Sequence, residues 1–112
     1  MTGSGRLRSD FWVSAYIRRC GVEGVAAVLR RRGAAEAGAV MIKIDRLDGT
    51  AVLLGPAPQS EAAPDGERRF APVHRNETLD AGDAEARLAR EIGFDPDLWI
   101  VEVEDRDGRS FL

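Results

Sequence analysis

The spacing of apolar residues along the chain predicts two helices. Residues 9–20 carry apolar side chains at helical intervals, with Ser9 placed to cap the helix and Gly21 to end it. The apolar stripe of this helix is Val13, Tyr16, Ile17 and Cys20. A second helix is predicted over 79–92, capped by Thr78 or Asp80 and ended by Gly93. Its stripe is Ala81, Ala84, Leu88 and Ile92. Both stripes are expected to face the core.

Period-two alternation predicts the strands of a sheet. The clearest run spans 40–45, and an Asp48-Gly49 turn joins it to an apolar run over 50–54, which predicts an antiparallel hairpin. Further strands are predicted over 25–30 and 98–104, and a short edge strand over 69–73.

This order of elements predicts a small α+β domain of two layers. A mainly antiparallel sheet of four to five strands would be covered on one face by the two helices. The other face would then contact water or a partner. The whole chain, residues 1–112, is expected to form a single domain with a proline-rich loop over 56–67.

Composition excludes several classes of protein. The chain has 112 residues, of which 44% are hydrophobic and 31% charged, as in globular domains. One cysteine and one histidine cannot supply an internal disulfide or a closed zinc site. No metal ligand or cofactor is assigned. No apolar run approaches the ~20 residues that span a membrane, and the first residues lack a secretory signal. The expected location is the cytoplasm.

Charge is unevenly distributed within a net charge of −3. Residues 1–46 hold nine basic and four acidic side chains, whereas residues 47–112 hold seven basic and fifteen acidic ones. We expect the two halves to neutralise each other within one fold. Such asymmetry can also mark a nucleic-acid face or a self-complementary interface.

Five arginines are the best candidates for a binding site, because guanidinium groups pair with phosphate or carboxylate. They are Arg18, Arg19, Arg30, Arg31 and Arg32. They would form one patch if the end of the first helix lay near the end of the first strand. The alternative is a solvated basic face paired with acids of the chain itself.

Other reactive side chains favour structural roles. Cys20 could act as a nucleophile with His74 as its base, but a cysteine in an apolar helical stripe is more often a core residue. His74 itself is expected to be an exposed loop residue. The acids over 95–107 lack the closing Glu of a calcium loop. No catalytic residue or metal ligand is therefore assigned, and an enzyme is the less favoured class.

Several short segments, spread over nearly the whole chain, carry a family likeness. They are Trp12-Val13-Ser14-Ala15, Arg18-Arg19-Cys20, Arg32-Gly33, Ala37-Gly38, Gly55-Pro56-Ala57-Pro58 and residues 94–102. These segments resemble a family of small bacterial proteins known as domain of unknown function 1491. The resemblance implies a single bacterial cytoplasmic domain, and it carries over no activity, ligand or catalytic residue.

The predicted function is a non-enzymatic binding or protein-interaction module. Self-association is expected from the uncovered sheet face and from a free sheet edge, so the expected partner is a second copy or an unidentified protein. The alternative is an accessory protein that binds nucleic acid or a nucleotide through the arginine patch. Nucleic acid is not favoured, because the acidic net charge repels a polyanion.

Overall fold

A six-stranded mixed sheet organises the fold, which we describe from a computed structural model for residues 7–58 and 68–112. The elements are α1 (Ser9–Val22), β1 (Ala27–Arg31), β2 (Val40–Asp45), β3 (Thr50–Pro56), β4 (Phe70–Pro72), β5 (Leu79–Asp80), α2 (Ala81–Phe94) and β6 (Trp99–Glu104). The strand order is β1-β6-β2-β3-β4, and β5 pairs with β3. Neither helix of the described residues is long and apolar enough to cross a membrane.

The centre of the sheet is a parallel pair, β2 and β6, in which Val40 lies opposite Trp99 and Ile44 opposite Val103. Every other pair of strands is antiparallel, including the hairpin of β2 and β3. The predicted α+β class, with two helices and a mainly antiparallel sheet, is therefore confirmed. The parallel pair was not anticipated, since β2 and β6 are joined through β3 and α2 rather than by a hairpin.

The two helices lie on opposite faces of this sheet. Val13 and Tyr16 of α1 pack against one face of the central strands, which presents Val40, Ile42, Ile44, Trp99, Val101 and Val103. Leu88 of α2 packs against the other face, with Met41 and Ile100. The predicted two-layer arrangement, with both helices on one face, is therefore wrong. Because the central strands are apolar on both sides, each face needs its own helix. The uncovered face that favoured self-association does not exist.

The edges of the sheet are short and interrupted. A bulge between Leu29 and Arg31 shifts the register of β1 on β6. At the other edge, β4 has three residues and ends in Pro72, and β5 has two residues. Bulges, prolines and short lengths discourage pairing with another chain, so the edges give little support to self-association.

The ends of two predicted elements differ from expectation. Ser9 does not cap α1: it is fully buried in the first turn, and its hydroxyl donates to the Gly38 carbonyl at 2.6 Å. The helix continues to Val22 rather than ending at Gly21. The loop predicted over 56–67 begins one residue late, because Pro56 is the last residue of β3. Residues 59–67 of that loop lie outside the described residues.

Two glycines allow the chain before β2 to cross the start of β6 at close range. A Cβ atom at Gly33 or at Gly38 would overlap the backbone carbonyl oxygen of Asp97. The Trp99 ring would lie only 2.6 Å from the Cβ at Gly33 and 2.9 Å from that at Gly38, and its Nε1 donates to the Ala34 carbonyl at 2.7 Å. Close packing therefore explains the glycines at positions 33 and 38, which belong to two of the segments that resemble the family.

Gly38→Ala is expected to lower the free energy of unfolding by about 2 kcal/mol, because the added methyl group has no space to occupy. Gly93→Ala is the matched control. It adds the same methyl group within α2, where nothing lies within 4 Å, and should raise stability by roughly 0.5 kcal/mol. Urea denaturation measures both, and equal stability of the two variants would contradict the close crossing.

Candidate functional site

The outward face of α1 carries apolar side chains opposite its buried face. At about 100° per residue, Phe11, Ala15, Arg18 and Val22 fall within one narrow stripe. All four are exposed, Phe11 by 57% and Val22 by 82%. The outward stripe of a surface helix is ordinarily polar, so this helix has a second apolar face, on which the Arg8 guanidinium lies 5.3 Å from the centre of the Phe11 ring.

A groove of about 600 Å³ adjoins the C-terminal half of this stripe. Its lining residues are Ala15, Arg18, Arg19, Val22, Glu23, Phe111 and Leu112. The hydroxyl of Tyr16 donates to the Ser110 carbonyl at 2.6 Å and holds the C-terminal segment against α1. The Arg109 guanidinium lies 5.1 Å from the centre of the Phe111 ring. We call the groove residues together with Phe11 the α1 outer surface.

Positive charge lies along this groove. Arg18 and Arg19 are exposed, and neither side chain makes an ion pair or hydrogen bond with a described residue. Glu23 is the one acidic side chain among the lining residues, and it makes no ion pair either. The groove therefore combines apolar walls with two guanidinium groups that are available to an acidic ligand.

The structure separates the five candidate arginines instead of bringing them together. The start of α1 lies beside the segment that follows β1, since the Ser9 amide donates to the Glu36 carbonyl at 3.1 Å. Helix and strand therefore run in opposite directions. Arg18 and Arg19 lie at one end, and Arg30–Arg32 lie at the other.

Arg30 belongs to an ion-pair network on the α2 side of the sheet. Its guanidinium donates to both carboxylate oxygens of Glu85 at 2.8 Å and to Glu102 at 3.0 Å. Lys43, which is 7% exposed, joins the same network through Glu85 and lies 3.7 Å from Glu102. The hydrogen bonds from Arg30, aided by Lys43, lower the pKa of Glu85 to about 2 although burial opposes this shift. Arg30 is thus paired with acids of the chain itself.

The remaining two arginines hold the crossing described above. Arg31 donates to the carbonyls of Pro96 and Leu98, both at 3.0 Å. The guanidinium of Arg32 lies 5.2 Å from the centre of the Trp99 ring. These contacts tie the end of β1 to the start of β6.

The cysteine and the histidine are held in separate structural roles. Cys20 is fully buried, and burial raises the pKa of its thiol. His74 is half-buried, which contradicts the expectation of an exposed loop residue. Its Nε2 accepts from the Leu53 amide at 3.1 Å, and its Nδ1 lies 2.7 Å from the Asn76 carbonyl, to which it donates. The ring thus accepts the hydrogen bond of the Leu53 amide, at a position of β3 that lies between the residues paired with β4 and those paired with β5.

The C-terminal acids also serve the fold. Asp105 accepts from the Arg109 amide at 2.7 Å and from its guanidinium at 2.8 Å, which lowers the pKa of this carboxyl. Within the ranges 7–58 and 68–112, no group of three or more His, Cys, Asp or Glu side chains is placed to hold a metal ion.

Sequence reasoning found Arg18 and Arg19 but missed the apolar part of the site. Phe11, Ala15 and Val22 recur at helical spacing outside the main stripe, which is the signal that could have found them. Phe111 joins them only through tertiary packing.

The fold and this surface define a small α+β domain with an outward apolar helix face. The family model described as "Protein of unknown function (DUF1491)" matches residues 7–112, and the chain belongs to this family. The resemblance expected from the sequence is therefore confirmed.

Solved structures of related proteins support the same fold. A DUF1491 family protein from Caulobacter crescentus CB15, solved by crystallography at 1.87 Å, is 44% identical. The match covers 95% of this chain and 94% of that chain, with a TM-score of 0.78. A protein from A. tumefaciens, solved in solution, is 41% identical over 88% of this chain and 86% of its own, with a TM-score of 0.75. The search of curated proteins gave no match.

Acid is expected to weaken the fold partly through Glu85. Its pKa in the folded protein is about 2, below the ordinary value of 4.5, so its stabilising contribution is complete above pH 4.5 and is lost as the pH falls towards 2. Glu85→Gln should therefore flatten the dependence of unfolding free energy on pH in this window. The exposed Glu77→Gln is the control, and identical pH profiles for both variants and the parent would contradict the network.

Cys20 is expected to react with a mild alkylating reagent only after denaturation. The side chain is fully buried and its raised pKa disfavours the thiolate. Mass spectrometry of the alkylated protein measures this reaction with and without denaturant. Rapid labelling of the native protein would restore Cys20 as a candidate nucleophile.

Proposed function

We propose that the chain is a non-enzymatic protein-interaction module whose binding site is the α1 outer surface. The observation that carries this proposal is the exposed stripe of Phe11, Ala15 and Val22 on α1. This stripe faces away from the core of the domain, which the opposite side of the same helix already contacts. Exposed apolar patches rimmed by polar groups mark interaction sites on soluble domains.

The charges of the surface indicate the chemistry of the partner. Arg18 and Arg19 border the apolar groove, and neither is paired with an acidic side chain of the described residues. An apolar segment that also carries carboxylates would bury its apolar side chains in the groove and pair with the guanidinium groups at the rim. Arginine and aromatic residues supply most of the binding energy in such interfaces.

The distribution of arginines gives less support to a nucleic acid as the ligand. Binding to a polyanion gains affinity from each phosphate that a cation neutralises. Arg30 is paired with Glu85 and Glu102, and Arg31 and Arg32 hold the crossing of β1 and β6. Only Arg18 and Arg19 of the five candidates border the groove.

Titration of the isotope-labelled protein with a synthetic amphipathic helical peptide of leucine and glutamate tests the proposal. Amide signals of α1 and of Phe111 should shift at peptide concentrations up to about 1 mM, where a free energy of only ~4 kcal/mol gives half occupancy. The same peptide with lysine in place of glutamate should bind at least about tenfold more weakly, because it meets Arg18 and Arg19 with like charge.

Arg18→Glu should weaken binding of the acidic peptide and strengthen that of the basic one. Arg75→Glu is the matched control, since Arg75 is exposed, lies outside the groove and makes no ion pair with a described residue. Absence of shifts on α1 with either peptide would overturn the proposal. So would binding of duplex DNA alone, with affinity that falls steeply with salt.

A further inference from the structure

We infer that the partner is a second copy of this chain, which inserts Phe94 into the groove of the α1 outer surface. This inference rests on the proposed function, because it names the occupant of the same site.

Phe94 is the most exposed large apolar side chain among the described residues, at 83%. It is the last residue of α2, where the chain turns into an extended Asp95. The buried side chains of this helix, Ala84 and Leu88, are already covered by the sheet, so Phe94 has no role in the core. A projecting aromatic ring at a helix end is suited to fill a pocket in a partner.

The charges beside Phe94 are complementary to those of the groove. Asp97 is exposed, and its carboxylate makes no ion pair within the part of the chain that the structure describes. Arg90, one helical turn before Phe94, has no acidic partner there either. The groove offers the opposite set, with Arg18 and Arg19 for a carboxylate and Glu23 for a guanidinium. Opposite charges on the two surfaces favour their encounter and fix their orientation.

The groove and Phe94 cannot meet within one molecule. Phe94 lies on the α2 face, near the end of the sheet where the Ala34 amide donates to the Asp97 carbonyl. The groove lies on the α1 face, at the opposite end of a helix of 14 residues, which is about 20 Å long. Contact between copies is therefore head-to-tail, and each added copy presents a new groove and a new Phe94.

Sedimentation velocity over a range of protein concentrations tests this assembly. The average mass should rise beyond that of a dimer as the concentration approaches about 1 mM, since a head-to-tail contact does not end at two copies. Phe94→Asp should weaken the association by about 30-fold, the loss typical of an aromatic anchor at the centre of an interface. Arg18→Glu should weaken it as well, whereas Arg75→Glu should not.

Mixing the two weakened variants gives the sharper result. Phe94→Asp keeps an intact groove, and Arg18→Glu keeps an intact Phe94, so an equimolar mixture should form a dimer and stop there. The same mixture can be made with Ala15→Glu in place of Arg18→Glu, because this variant fills the groove from an exposed helix position. The result should be the same. Circular dichroism checks that each variant is folded.

Three outcomes would overturn the inference: a wild-type protein that stays monomeric at about 1 mM, a Phe94→Asp variant that still associates like the wild type, or a mixture that forms no dimer. The leucine–glutamate peptide separates this failure from failure of the proposed function. If the peptide shifts the signals of α1 while the protein stays monomeric, the α1 outer surface binds an acidic partner other than a second copy.

Discussion

Burial of the central strands on both faces is the constraint on which the other features of this structure depend. β2 and β6 pair in parallel, and their side chains are apolar on one face and largely apolar on the other. Each face must therefore be covered, and the chain has one helix for each. α1 uses Val13, Tyr16 and Cys20 for this purpose, which leaves Phe11, Ala15 and Val22 on its outer side without an internal role.

The elements of this fold follow well from local patterns, whereas their arrangement does not. The alternation over 40–45 and the Asp48-Gly49 turn define the hairpin, and Asp80 caps α2 through the Gly82 amide as its position suggests. Met41 and Ile100 are buried on the α2 side and extend the apolar runs over 40–42 and 98–101 beyond strict alternation, which is a sequence signal for strands covered on both faces. That signal does not say which helix covers which face. The parallel pairing of β2 with β6 is likewise a contact between distant segments, and no local signal reports it.

The roles of the five candidate arginines likewise depend on contacts with distant segments, which local sequence patterns do not report. Sequence reasoning could select guanidinium groups as binding candidates, but it could not divide them by role. Arg30 is paired with Glu85, which lies 55 positions away, and Arg31 donates to carbonyls 65 and 67 positions away. Of the five candidates, only Arg18 and Arg19 make no hydrogen bond, ion pair or ring contact with a described residue, since Arg32 lies over the Trp99 ring. The binding role is therefore assigned to the arginines whose side chains do not already stabilise the fold.

The uneven charge of the chain produces ion pairs within the fold and leaves other charges exposed at the surface. Part of it is neutralised internally, where Arg30 and Lys43 of the basic half meet Glu85 and Glu102 of the acidic half. Other charges stay at the surface, among them the guanidinium groups at the groove and the carboxylate of Asp97 beside Phe94. The charges at these two places are exposed and make no ion pair with a described residue, so they add little to the fold. In a contact between copies they would meet beside buried apolar side chains, where opposite charges interact more strongly than in water.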